Sequence, residues 1–112
     1  DVVAPELFGN ENADVLLVCW GSTLGPALEA METMDADVAV LHFKQLWPLV
    51  EDQFMDTLEG AGRVVAVEGN ATGQFADILR RETGFHIQDK VLRYDGYPFT
   101  ARFIVQGLED IL

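Results

Sequence analysis

The stretch Val64-Val65-Ala66-Val67-Glu68-Gly69-Asn70-Ala71-Thr72-Gly73-Gln74-Phe75 runs four small apolar residues straight into a polar, glycine-containing turn that opens a helix. A run of that kind buries a strand on both faces, as the strands of a helix-covered parallel sheet require. Glu68 falls at the strand's carboxyl end, and Gly69, Asn70, Thr72, Gly73 and Gln74 follow at the helix start. In an open α/β sheet that edge is where ligands or partner domains dock.

The same strand-then-helix pattern recurs on both sides of this stretch. Upstream, Val15-Leu16-Leu17-Val18-Cys19-Trp20 is an apolar run of strand length broken by Gly21-Ser22-Thr23, after which Leu24, Ala27, Leu28, Met31 and Met34 recur at helical spacing. Val38 to Phe43 is a second strand, and after Trp47-Pro48 the residues Val50, Phe54 and Leu58 fall on one face of a helix ending near Gly60 or Gly62. Downstream, Phe75, Ile78 and Leu79 give the third helix its apolar stripe, with Gly84 as its stop. Val91 to Tyr94 reads as a shorter strand, Asp95-Gly96 as a turn, and Pro98 and Thr100 as the start of a helix whose face is Ile104, Gly107, Leu108 and Ile111.

Four such units predict a three-layer α/β/α sandwich with a mainly parallel sheet, because right-handed crossovers place helices on both faces. If the chain winds one way from its first strand and then reverses, the order is 2-1-3-4. The carboxyl ends of strands 1 and 3 then lie side by side, setting Gly21, Ser22 and Thr23 next to Glu68, Asn70, Thr72, Gly73 and Gln74. Residues 1–13, with Pro5, Gly9, Asn10 and Asn12 and no sustained period, are expected to be a linker leading into a domain at 14–112.

At 112 residues and 49% hydrophobic content the chain fits one core. Its formal net charge of -12 opposes nucleic acid and anionic membrane surfaces as partners; the acidity reads as a solvated surface, or as a docking face for a basic partner. The chain opens on Asp1, with neither a basic, apolar leader nor an apolar run long enough to span a bilayer. A cytoplasmic piece of a longer polypeptide is expected. Cys19 is the single cysteine and lies in an apolar run, which excludes disulfides within the chain and cysteine-ligated clusters built from it alone.

Gly21-Ser22-Thr23-Leu24-Gly25 has the small residues of an anion-binding helix start but no phosphate fingerprint, and Ser22 or Thr23 as a plain N-cap accounts for it equally well. Glu68 stands where a hydrogen-bonding carboxylate would, with the amides of Asn70 and Gln74 beside it. Either these groups face a donor-rich partner or they satisfy backbone groups in a tight turn. His42, in an apolar strand, reads as structural and His86 as a surface residue, since neither has companions at metal-ligand spacing. No nucleophile elbow is present, so no catalytic and no metal-binding residue is assigned. Trp47-Pro48 and Tyr94-Asp95-Gly96-Tyr97-Pro98-Phe99 are aromatic clusters in loops, suited to an interface or to a lid over a small core.

In order, Gly21-Ser22-Thr23 followed by Glu29-Ala30, Leu46-Trp47-Pro48, Val67-Glu68-Gly69-Asn70-Ala71-Thr72-Gly73-Gln74 and Tyr94-Asp95-Gly96-Tyr97-Pro98-Phe99 resemble one family across nearly the whole chain. That family is the C-terminal transketolase-like domain of the alpha subunit of 2-oxoacid:ferredoxin oxidoreductases, the 2-oxoglutarate type most of all. Two departures are Gly69, where an asparagine is often seen, and Tyr97, where a basic residue is common. The resemblance implies an enzyme that oxidatively decarboxylates a 2-oxoacid to acyl-CoA and reduces ferredoxin, using thiamine diphosphate, magnesium and an iron–sulfur cluster. None of these cofactors is expected in this domain. Its implied role is non-catalytic assembly, against the pyrimidine-binding domain of its own subunit and the thiamine-diphosphate-binding beta subunit in a dimeric enzyme. Gly21, Ser22, Thr23, Glu68, Asn70, Thr72, Gly73 and Gln74 would form the interface or border the active site. The competing reading is a free-standing flavodoxin-like module for a nucleotide or flavin.

Overall fold

The computed structural model describes residues 3–45, 49–69, 73–93 and 95–112. Among the described residues five strands form one sheet: β1 (Glu6–Phe8), β2 (Val15–Trp20), β3 (Val38–Phe43), β4 (Arg63–Glu68) and β5 (Asp89–Leu92), in the order β1-β3-β2-β4-β5. The four long-range partners β3-β2-β4-β5 run parallel, which is the expected 2-1-3-4 order with its reversal between β2 and β4. Every residue of β3 is buried, and in β2 every residue but Trp20, as a central strand covered on both faces demands.

Alternation along the strands divides the core in two. Leu16, Val18, Leu41, Phe43 and Ala66 face α2 (Met55–Gly60) and α3 (Gln74–Thr83), packing on Phe54, Leu58, Phe75 and Leu79. Leu17, Cys19, Val40, Val65, Val67 and Val91 face α1 (Leu24–Thr33) and α4 (Ala101–Ile111), packing on Ala27, Ala30, Ile104 and Leu108. Gly107 lets α4 lie close on β5: a Cβ there would meet Val91 Cγ1 at 2.9 Å. Thr100 caps α4, its hydroxyl accepting from Phe103 N–H at 3.1 Å, and Gly84 stops α3 at φ 83° while its N–H donates to Arg80 O.

Three elements differ from expectation. Within the stretch read as a linker, Glu6–Phe8 pairs antiparallel with β3, in register Glu6↔His42 and Phe8↔Val40, and Glu6 forms an ion pair with Lys44 at 3.2 Å. An edge strand needs a ladder partner more than a hydrophobic period, so composition does not reveal it. The second helix begins only at Met55, after a 3-10 turn at Glu51–Gln53, because Phe54 leaves helical geometry at φ -150° and turns its ring edge-on to Phe43 at 5.0 Å. β5 starts two residues early, at Asp89, since an edge position tolerates Asp89 and Lys90. Tyr94 and Leu46-Trp47-Pro48 lie outside the described residues.

Candidate functional site

The reversal in winding sets the ends of β2 and β4 next to each other at the carboxyl edge, and the two turns leaving them treat their polar groups in opposite ways. After β4, Glu68 is only 1% exposed, and its carboxylate points back into the chain. Oε1 accepts from Phe75 N–H at 2.6 Å and Oε2 from Ala76 N–H at 3.0 Å, so it holds the first turn of α3 in the manner of an N-cap. A negative charge at a helix N-terminus is further favoured by the helix dipole. Gly73 takes φ 68° immediately before α3, a conformation glycine adopts without the strain a Cβ brings. Gln74, the first residue of α3, is exposed, whereas Asn70 and Thr72 lie outside the described residues. Glu68 thus accepts from the chain's own backbone at both carboxylate oxygens.

After β2, Gly21 at φ 65° starts a 3-10 turn over Gly21–Thr23 that leads into α1. Neither Ser22 nor Thr23 caps a helix with its side chain, which corrects the N-cap expectation: the 3-10 turn places both within helical geometry, where a side chain no longer reaches the orphan N–H groups. His42 fixes this turn from beneath, its Nε2–H donating to Gly21 O at 2.9 Å. His42 is 8% exposed and structural, as its setting in an apolar strand predicts; His86 is exposed. Cys19 lies fully buried directly below the turn, and burial pushes its thiol up to about 12, the range of an inert core thiol rather than a nucleophile.

Ser22 and Thr23 open instead onto a cavity of about 740 Å3, shared with Pro26, Gly69, Arg93 and the loop Gly96-Tyr97-Pro98-Phe99. Arg93 leaves the end of β5, and its backbone N–H donates to Glu68 O at 3.0 Å. Its Nε–H donates to Asp95 Oδ1 at 3.0 Å, and the same oxygen accepts from Tyr97 N–H at 3.1 Å. The Arg93 hydrogen bond, and then that from Tyr97, hold the Asp95 carboxyl below its ordinary range. The guanidinium lies 4.5 Å from the Phe103 ring centre and 5.7 Å from that of Tyr97.

Gly21, Ser22, Thr23, Glu68, Gly73 and Gln74 thus share one edge, but only Ser22 and Thr23 among them line the cavity. Sequence reasoning found the aromatic loop and missed Arg93, which reads as an ordinary strand-end residue until β5 is placed beside β4. Two exposed aromatics mark the same rim, Trp20 at 41% and Tyr97 at 70%. Among the described residues no group of three or more His, Cys, Asp or Glu residues is arranged to hold a metal ion, and no helix is long and apolar enough to cross a membrane.

The family model of the transketolase C-terminal domain matches residues 7–105. The alpha subunit of 2-oxoacid:ferredoxin oxidoreductase 1 from Aeropyrum pernix is 41% identical over 110 residues, covering 94% of this chain and 17% of that subunit. The chain therefore spans about a sixth of the length of the curated relatives it matches. Among solved structures, 2-oxoglutarate:ferredoxin oxidoreductase from Magnetococcus marinus, with 2-oxoglutarate, coenzyme A and succinyl-CoA bound, superposes with a TM-score of 0.84 at 28% identity, covering 95% of this chain and 19% of that one. The alpha chain of a probable 2-oxoacid ferredoxin oxidoreductase from Thermoplasma acidophilum gives 0.67 at 31% identity, with 96% of each chain covered.

Proposed function

The chain belongs to the transketolase C-terminal domain family, and from that premise we propose that it is the non-catalytic assembly domain of the alpha subunit of a 2-oxoacid:ferredoxin oxidoreductase. The enzyme as a whole would oxidatively decarboxylate a 2-oxoacid to acyl-CoA, with thiamine diphosphate as cofactor and ferredoxin as electron acceptor, in the cytoplasm. The likeness to alpha subunits of that name supports the reading. One observation carries the non-catalytic part: the Glu68 carboxylate, buried at the edge where a site would form, is engaged by the amides of Phe75 and Ala76 and is withheld from a substrate.

The donor set does not fit the whole enzyme's cofactors. An iron–sulfur cluster takes several thiolates, and the chain has the single, buried Cys19. Magnesium takes clustered oxygens around a diphosphate, whereas among the described residues the cavity at the edge is lined by no carboxylate, and its guanidinium, on Arg93, donates through Nε to Asp95. With Arg93 as the one cation lining the cavity among the described residues, a nucleotide or flavin phosphate is disfavoured there.

The contact rim is proposed to run from Gly21, Ser22 and Thr23 to Asn70, Thr72, Gly73 and Gln74, with Glu68 behind it setting the α3 turn. Its partners would be the pyrimidine-binding domain of the same subunit and the thiamine-diphosphate-binding beta subunit. Trp20→Asp in the complete alpha subunit tests this, because exposed aromatics anchor interfaces and a charge there repels an apolar partner surface. The expected result is loss of assembled mass in light scattering, with 2-oxoacid-dependent ferredoxin reduction down about tenfold or more. Unchanged mass together with an unchanged rate overturns the assembly reading.

A further inference from the structure

We propose that the cavity between the β2–α1 turn and the Gly96–Phe99 loop is a binding site for a single carboxylate, received by the outer nitrogens of Arg93 with the hydroxyls of Ser22 and Thr23 as further donors. The site rests on the cavity itself and not on the assembly reading. Arg93 is set as a receptor is set: its side chain is 16% exposed, its guanidinium stands against the rings of Phe103 and Tyr97, and Asp95 fixes it through Nε alone. Nε is one of five N–H donors. The four on Nη1 and Nη2 make no hydrogen bond among the described residues, although the residue lines the cavity. A planar fork held rigid before the ligand arrives loses little freedom on binding and matches the two oxygens of a carboxylate.

The hydroxyls of Ser22 and Thr23 likewise have no hydrogen-bond partner among the described residues, and both line the same cavity. Charge selects the ligand. Asp95 neutralises part of the Arg93 field and the chain carries -12 overall, so a dianionic phosphate is disfavoured relative to a monoanion. Pro26, Pro98 and Phe99 supply apolar wall, which fits a carboxylate on a small apolar body. Such a carboxylate has two sources: a free small acid, or an acidic side chain of an adjoining domain.

Titration of the 112-residue chain with phenylacetate, followed by 15N resonances of Arg93 Nε and the Ser22 and Tyr97 amides, tests the site, with inorganic phosphate as the competing oxyanion. Saturable shifts are expected for phenylacetate, with binding weakened about tenfold in Arg93→Gln and about threefold in Arg93→Lys, which keeps the charge and loses the fork. Because Arg93 also supports its loop, Ser22→Ala is the second variant; it removes one exposed hydroxyl and is expected to weaken binding about threefold with an unaltered amide spectrum elsewhere. Absence of saturable shifts, equal affinity in all variants, or phosphate binding as tightly as phenylacetate overturns the proposal. In the complete alpha subunit within its assembly, continued phenylacetate binding identifies a free acid as the ligand. Exclusion of phenylacetate together with lower assembled mass in Arg93→Gln identifies a neighbouring side chain; exclusion with unchanged mass overturns the site. Loss of assembly in Trp20→Asp bears on the assembly reading alone.

Discussion

The turns after β2 and β4 leave adjacent strands at the same edge, both with a glycine in the left-handed region, Gly21 at φ 65° and Gly73 at φ 68°. Among the described residues they differ in where their polar side chains go. The β4–α3 turn directs a carboxylate inward to its own helix, whereas the β2–α1 turn leaves two hydroxyls facing a cavity. A residue type suited to chemistry, at a position suited to chemistry, is thus no evidence of a site until its hydrogen bonds are accounted for. The carboxylate site we propose belongs to the plainer of the two turns.

The contrast breaks most readily at Glu68. Glu68→Ala leaves the Phe75 and Ala76 amides buried without their charged acceptor, and stability should fall by about 3 kcal/mol in urea denaturation. Glu68→Gln keeps one carbonyl acceptor and should lose about half as much. A Glu68→Ala chain as stable as the parent would show that the carboxylate is not structural and remove the difference between the turns.

Next in size is a pH effect beneath the open turn. The Cys19 thiol stays protonated in the folded chain up to about 12, against an ordinary value of 9.0. The folded state therefore holds a proton that the unfolded chain releases, so the full contribution is present below pH 9.0 and is lost as pH rises toward 12. Between pH 8 and about 10.5 the parent should lose about 2 kcal/mol more than Cys19→Ala. Equal losses would mean that water reaches the thiol through the turn.

Gly21→Ala and Gly73→Ala compare the two backbones directly. Each should cost about 1 kcal/mol for holding an L-residue at positive φ. Gly73 should cost slightly more, because its Cβ would come within 3.0 Å of Lys90 Cδ, while that of Gly21 meets nothing within 4 Å. Calorimetric midpoints of the pair check the order. Smallest of all, Ser22→Ala should change stability by less than about 0.5 kcal/mol, since its hydroxyl has no partner among the described residues to lose.

Much of the fold was legible because buried parallel strands announce themselves as apolar runs, and Val15–Trp20, Val38–Phe43, interrupted by His42 alone, and Val64–Val67 are such runs. Their order followed from handedness and one reversal. Glu6–Phe8 was not legible, since its place comes from hydrogen bonds to a strand more than thirty residues on. Phe54 fell on the predicted helical face and yet packs from outside the helix, because apolar spacing fixes which residues go inward and not the backbone that carries them there. At the edge, the sequence brought Ser22 and Glu68 together correctly but could not tell which of them was occupied. Arg93 became visible only when β5 took its place beside β4 and brought its loop across to residues some seventy positions earlier.

The sheet also dictates where the chain can be handled. β1 runs against β3, so Glu6 lies beside His42 near the carboxyl rim, while Arg63 Nη1, at the start of β4, donates to Ile111 O at 3.0 Å at the opposite rim. A fluorophore or surface tether placed on Leu112 therefore stands at the rim opposite the cavity. One placed on Glu6 shares the rim with the cavity. Immobilisation through the first attachment presents the cavity to solution, and through the second it turns that rim toward the support.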